Sequence, residues 1–392
     1  MKITVIGWYG TETIGDRAIL AGLISYFNKS FSHYSIKLGS LNPFFSTRTI
    51  NEDENLYNKI TAKNIDIEVF DSKSHKQLDD AIKNSDLLVM GGGPLMDLKE
   101  LLFVEYAFIK AKKQGISTAI LGCGVGPLYS KKYRKSVLNI ANKADLIILR
   151  DKKSKENLID IYNEFDSDIS KKEISVSFDP AVECTHMYLT YTKDKIITNK
   201  KVLDDYICIN LRKFPEEYRE GTTARDINSA LLRFVKDIAN NYKNENIYLI
   251  PMHYFHIGDD DRLFLNKLQR VIGTENVTVQ NAPLSLEETI EKYKNAKLNV
   301  GMRFHSVVLQ TICSGKNLVL DYTQPNKGKI KGFIDDIDNI SFYKNRYLNL
   351  QNEEPTFEFF DDVDESQCFN YSEDSISRAS ETYVNGLSQL IK

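Results

Sequence analysis

No run of about 18 apolar residues occurs anywhere in the sequence, so nothing in it reads as a membrane-crossing helix. The five cysteines, Cys123, Cys184, Cys208, Cys313 and Cys368, are odd in number, far apart, and form no CxxC pair and no Cys/His metal spacing. A zinc or disulfide framework has no pattern to rest on, and a reducing cytoplasm is the simplest expectation. The opening stretch "MKITVIGWYG" is too short in its apolar part and too glycine-ended for a signal peptide. Net basic charge is absent too: 51 Lys and Arg face 54 Asp and Glu, a formal −3. The electrostatic footprint of nucleic-acid binding is therefore missing, and any anionic ligand must be met by local cations.

What remains is an ordinary globular composition, 42% hydrophobic and 27% charged. At 392 residues the chain is too long for one core and predicts two domains of about 150 to 200 residues each. Short apolar runs alternate with amphipathic stretches such as "DRAILAGLISYFNK" and "YRKSVLNIANKA". Strands are expected at "KITVIG", "SIKLGS", "IDIEVF", "DLLVMGGG", "STAILGCG", "DLIILRD" and "ISVSFDP". After a Lys- and Thr-rich stretch they resume at "YICINLR", "NIYLIP", "NVTVQ", "KLNVG" and "NLVLDY". Strand and helix in alternation mean βαβ units and mainly parallel sheets. The expected class is α/β, with two Rossmann-like doubly wound domains facing a cleft. They span 1–190 and 205–345, joined by a linker at 191–204. An acidic segment at 346–392 ends in a helix that packs back on the body, because Ile376, Tyr383, Val384, Leu387 and Leu390 form part of a helical stripe.

The chemistry collects at strand ends, where such folds bind ligands. "GWYGTETIGDRAIL" places Gly15 and Asp16 at a helix start, whose N–H groups suit an anion; a tight turn capped by Asp16 is the plainer reading. The spacing is not GxGxxG. "MGGGPLMDL" offers Gly91, Gly92, Gly93 and Asp97, with backbone amides for a phosphate, a carboxylate or sugar hydroxyls, and "GCGVGP" repeats the theme. Arg150 ends "IILR" and Asp179 lies in "SFDPA"; the adjacent Arg150 and Asp151 are more often a structural ion pair than a catalytic one. The loop "IPMHYFHIGDDDR" holds His253 and His256 beside three aspartates, which reads as a solvated loop capping the next helix before it reads as a metal site. Finally, Arg212 in "INLRKF", Arg303 and His305 in "GMRFHS", and Lys329 in "NKGKIKGF", with Lys327 and Asp321 nearby, converge on one sheet edge. Arginine forks match carboxylate and phosphate oxygens, and an imidazole moves protons near neutral pH.

Taken in order, "GWYGTETIGDRAIL", "GGGPLMD", "GCGVGP", "LRDKKS", "FDPA", "INLR", "GMRFHS" and "YTQPNKGKIKGF" resemble the polysaccharide pyruvyl transferase family over about residues 5 to 335. The resemblance implies a GT-B-like two-domain fold. It also implies transfer of pyruvate from phosphoenolpyruvate onto two hydroxyls of a sugar in a cell-surface polysaccharide or its precursor, as a cyclic ketal, with release of phosphate. It implicates Arg303, His305 and Arg212 in donor binding and catalysis. Gly15, Asp16, Gly91 to Gly93, Asp97, Arg150, Asp179 and Lys329 are the expected substrate-binding set. No cofactor or metal is expected, and the acceptor is a saccharide, free or lipid-linked, the latter met at the inner face of the membrane. The chain departs from the family at Thr13 and Arg17, where many members carry an asparagine and an acidic residue, which bears on the acceptor. The alternative is a GT-B-like glycosyltransferase using a nucleotide-sugar donor.

Overall fold

The computed structural model describes residues 1–170, 172–193, 206–219, 226–255, 259–325 and 328–390. His256, Lys327 and positions 194–204 of the expected linker lie outside them. The chain divides into two compact units. The first comprises Met1–Glu12, Asp16–Tyr191 and Ser372–Lys392; the second comprises Thr13–Gly15 and Thr192–Tyr371.

The first unit is built on β1 (Lys2–Ile6), β2 (Ser35–Ser40), β3 (Ile67–Asp71), β4 (Leu87–Gly91), β5 (Pro94–Leu95), β6 (Ser117–Val125), β7 (Leu146–Leu149) and β8 (Ile174–Val176). Their order is β3-β2-β1-β4-β6-β7-β8, with β5 paired to β6, and every pairing is parallel. The second unit carries β9 (Tyr206–Asn210), β10 (Asn246–Leu249), β11 (Val277–Val279), β12 (Leu298–Gly301), β13 (Asn317–Asp321) and β14 (Tyr347–Asn349). Their order is β11-β10-β9-β12-β13-β14, again parallel throughout. Relabelled from its first strand, this is the 3-2-1-4-5-6 order of a doubly wound nucleotide-binding sheet.

Central strands buried on both faces explain the unbroken apolar runs: "LLVMG" in β4, "YICIN" in β9 and "NLVLD" in β13 are buried along their whole lengths. Helices cover the faces because their apolar residues recur at 3.6-residue spacing, as in Ile227–Asn241, which buries Leu231, Phe234, Val235 and Ile238. The helix Glu373–Gln389 belongs to the first unit. Ile376, Tyr383 and Leu387 are buried there, whereas Val384 stays partly open to solvent. Tyr383 stacks on Tyr26 with centroids 4.0 Å apart and donates from its hydroxyl to the Phe178 carbonyl at 2.7 Å. No helix among the described residues is long and apolar enough to cross a membrane.

Candidate active site

In the second unit the polar side chains gather at the carboxyl ends of β9, β12 and β13. Asn210, fully buried at the end of β9, organises them. Its side-chain carbonyl accepts from the Arg303 backbone N–H at 2.9 Å and from the Ser306 hydroxyl at 2.8 Å, while its amide donates to the Ile250 carbonyl at 2.8 Å. One amide thus ties three strand ends and fixes the head of the helix Phe304–Cys313. A buried polar group is tolerable only when satisfied in this way.

Arg303 stands at the N-cap of that helix and is only 5% exposed. Its Nε donates to both oxygens of Asp261 at 3.1 and 3.2 Å, its Nη2 to Oδ1 at 2.5 Å, and its Nη1 lies 3.4 Å from His253 Nε2. Asp261 also accepts from the backbone N–H groups of Met252 at 3.0 Å and His253 at 3.1 Å. The "GDDDR" loop is therefore not simply solvated. Asp260 caps the helix Asp261–Ile272, accepting from Arg262 N–H, but Asp261 is 2% exposed and locks Arg303 from the side. Among the described residues no group of three His, Cys, Asp or Glu side chains is placed to hold a metal ion.

His305 occupies the first turn of the same helix, half-buried, with its ring edge-on to Phe304 at 5.0 Å. Thr13–Gly15 group with this unit, and Gly15 faces the imidazole: a Cβ there would lie 2.0 Å from Nδ1. Glycine at position 15 is thus required by close approach. Arg212 follows β9, with Nε donating to the Lys213 carbonyl at 3.2 Å and Nη2 lying 3.6 Å from the exposed Asp259 carboxylate. Burial alone would lower the Arg212 pKa, but Tyr322 and Asp261 nearby hold it above its ordinary value. Lys329 opens the helix Lys329–Ile337, its ammonium 5.8 Å from the Phe304 ring centroid. Asp321, fully buried, turns to Thr323 N–H and the Tyr347 hydroxyl, both at 2.7 Å, and burial raises its pKa despite them.

Sequence reasoning missed Tyr322, the residue after β13. It is 2% exposed, and its ring lies 5.3 Å from the Arg212 guanidinium. Burial pushes phenols upward, as it does for Tyr9, Tyr293 and Tyr383. At Tyr322 the charges of Lys329, Arg212 and Arg303 outweigh burial, and the pKa falls below the ordinary phenol value. The signal in the sequence was "DYTQP", an aromatic directly after a strand that faces two other basic strand ends.

In the first unit the expected glycines are accounted for first by packing. Gly92 and Gly93 have φ of +103° and +67°, and a Cβ on Gly93 would lie 2.1 Å from the Trp8 ring. Tyr9 donates to the Gly91 carbonyl at 2.5 Å, and a Cβ on Gly91 would strike Leu23. Asp97 accepts from the N–H groups of Tyr129 at 3.0 Å and Ser130 at 2.9 Å, tying two strand-end loops together; among the described residues its buried Oδ1 has no protein partner. Arg150 and Asp179 are brought together: Nη1 lies 3.4 Å from Asp179 and Nε 3.3 Å from Asp151, all three buried, with the guanidinium packed on Gly124. Asp16 accepts from the Thr11 hydroxyl at 2.9 Å. Arg17 forms a two-point pair with Asp53, both contacts at 2.6 Å, and reaches Glu52 at 3.1 Å. A basic residue at position 17 is thus held by acids of the helix Pro43–Thr61.

These two sheets define a GT-B-like α/β protein, and solved structures share the fold. The UDP-GlcNAc 2-epimerase of Methanocaldococcus jannaschii superposes with a TM-score of 0.59 at 13% identity, covering 100% of this chain and 98% of its own. MnaA of S. aureus, solved with UDP, gives 0.57 at 14% identity, covering 99% and 93%. Comparison with curated proteins finds no match. The sequence profile of the polysaccharide pyruvyl transferase family matches residues 14–323. The chain belongs to that family.

Proposed function

We propose that the protein moves the pyruvyl group of phosphoenolpyruvate onto two hydroxyls of a sugar in a cell-surface polysaccharide or its precursor, forming a cyclic ketal and releasing phosphate. One observation carries this reading: Arg212, Arg303, His305 and Lys329 gather at one sheet edge in a chain of the pyruvyl transferase family. A donor bearing a carboxylate and a phosphate needs such a cluster. Arg212 and Lys329 supply most of the charge; Arg303, with Nε and Nη2 engaged by Asp261 and Nη1 beside His253, adds its charge from behind.

The chemistry balances without a redox partner. Protonation of the donor's methylene carbon makes C2 electrophilic. One sugar hydroxyl adds to C2 and gives its proton to His305; the second hydroxyl then closes the ring as phosphate leaves. Of the two hydroxyl protons, one replaces that consumed in the new methyl group and one departs with phosphate. The cations stabilise the developing charge, so the reading invokes neither metal nor cofactor. The glycine-rich loops and Asp97, whose buried Oδ1 has no protein partner among the described residues, take the acceptor. The reaction runs in the cytoplasm, at the inner face of the membrane where the acceptor is lipid-linked.

The test is incubation with phosphoenolpyruvate and p-nitrophenyl galactosides and N-acetylmannosaminides, following inorganic phosphate and product mass. The expected product gains one pyruvate less one water. Release of a nucleotide from UDP-sugars, with no use of phosphoenolpyruvate, would establish the glycosyltransferase reading instead. The fold shared with a protein solved with UDP makes that arm worth running.

A further inference from the structure

We infer that Tyr322 is the acid that delivers a proton to the methylene carbon of the donor, a step that rests on the pyruvyl-transfer reading above. Histidine alone leaves that step without a distinct donor. If His305 takes the proton of the attacking hydroxyl, a second group must already have given one to C3. Among the described residues two further titratable groups stand beside these cations: His253, 3.4 Å from Arg303 Nη1, and Tyr322, which lies under Arg212 and is the more deeply buried.

Its surroundings are specific. Arg212, from the loop after β9, lies over the ring with Cζ 5.3 Å from the centroid. The charges of Arg303, at the head of the helix Phe304–Cys313, and of Lys329, at the head of the helix Lys329–Ile337, also act on the phenol. The Tyr218 ring packs edge-on at 5.4 Å, and the Gln351 amide donates to the Tyr322 carbonyl at 3.3 Å, so ring and backbone are both held. The adjacent carboxylate, Asp321, is engaged by Thr323 and Tyr347. The second carboxylate near the arginines, Asp261, is engaged by Arg303 and two backbone N–H groups.

Three cations around a phenol stabilise the phenolate, which makes the phenol a stronger acid than tyrosine in water. The same cations attract the donor's carboxylate and phosphate, so the acid and the substrate are drawn to one place. In the step, the phenol O–H bond breaks and a C–H bond forms at C3, using the electron pair of the C2–C3 double bond. The phenolate is held by Arg212 until a proton returns from a sugar hydroxyl by way of His305.

The experiment compares wild type with Tyr322→Phe, which keeps the ring under Arg212 and removes only the hydroxyl. Circular dichroism and melting temperature establish that the variant is folded; calorimetric titration with phosphoenolpyruvate alone gives donor affinity. The expected result is kcat lowered by roughly 10²-fold or more, with donor affinity within a few-fold of wild type. Wild-type kcat falls on the alkaline side, through a pKa below the ordinary phenol value, and the variant's residual rate lacks that limb. Near-normal turnover, or a loss confined to KM with the alkaline limb intact, would show a residue that only positions Arg212 and would overturn the assignment. If the variant is unfolded, Tyr322→3-fluorotyrosine, which lowers the phenol pKa, decides: the alkaline limb must move to lower pH, and an unmoved limb overturns the proposal. Wild type that releases no phosphate from phosphoenolpyruvate with any of the acceptors brings down the pyruvyl-transfer reading, and Tyr322's role with it.

Discussion

Arg303 and His305 are two residues apart, yet their neighbours differ in kind. The arginine is clamped by a buried carboxylate, whereas the imidazole is backed by an aromatic ring and a glycine. His305→Ala should therefore leave the melting temperature nearly unchanged and lower kcat by roughly 10²-fold or more. Arg303→Lys keeps the charge but cannot meet Asp261 at two points. It should raise KM for phosphoenolpyruvate and also lower stability, because a buried pair broken on one side costs about 3–5 kcal/mol at full loss. Steady-state kinetics and thermal melts on both purified variants check this. A destabilised but fully active His305→Ala enzyme would mean a histidine that only packs under its helix.

At the level of elements, the helix Glu373–Gln389 offers the clearest test of packing. Tyr383→Ala removes the stack on Tyr26 and the hydrogen bond to Phe178, and should cost about 3–5 kcal/mol in chemical denaturation. Tyr383→Phe should lose only about 1 kcal/mol. Equal, negligible losses in both would show a helix that contributes nothing to its unit. The strands were legible in the sequence because parallel strands buried on both faces leave unbroken apolar runs, and all twelve of the quoted segments fall on strands. β5 and β14 were not: β5 is two residues inside a Gly/Pro loop, and β14 is three residues within a stretch that composition marks as acidic and irregular. Arg212, Arg303, His305 and Lys329 could be placed at strand ends and helix heads because those boundaries are readable. Their partners could not. Which of the three aspartates at 259–261 turns inward depends on Arg303, more than forty positions away, and the lowered pKa of Tyr322 depends on cations from three separate segments. Packing also claimed glycines that spacing alone would have given to a ligand, as the Trp8 ring against Gly93 shows.

At the scale of the whole molecule, donor binding should mark one unit and not the other. Phosphoenolpyruvate at a hundred times its dissociation constant should stabilise the state that binds it by about 2.7 kcal/mol. Hydrogen-exchange protection should concentrate in peptides spanning Arg212, Arg303–Cys313 and Asp321–Ile337. Protection confined to peptides carrying Gly91–Gly93 would place the donor on the wrong sheet.

The helix on which Tyr383 sits is also a matter of timing. Tyr26 is made early and Tyr383 some 350 residues later, after every strand of the second unit has left the ribosome. At the usual 5–20 residues per second, Tyr26 waits on the order of tens of seconds for the ring that covers it. Throughout that interval the first unit is a nascent body with an aromatic seam open to water. A chain cut short by premature termination between the second sheet and Tyr383 would keep Arg212, Arg303 and Lys329 and still present that seam, which makes such fragments clients for chaperones and proteases rather than half-active enzymes.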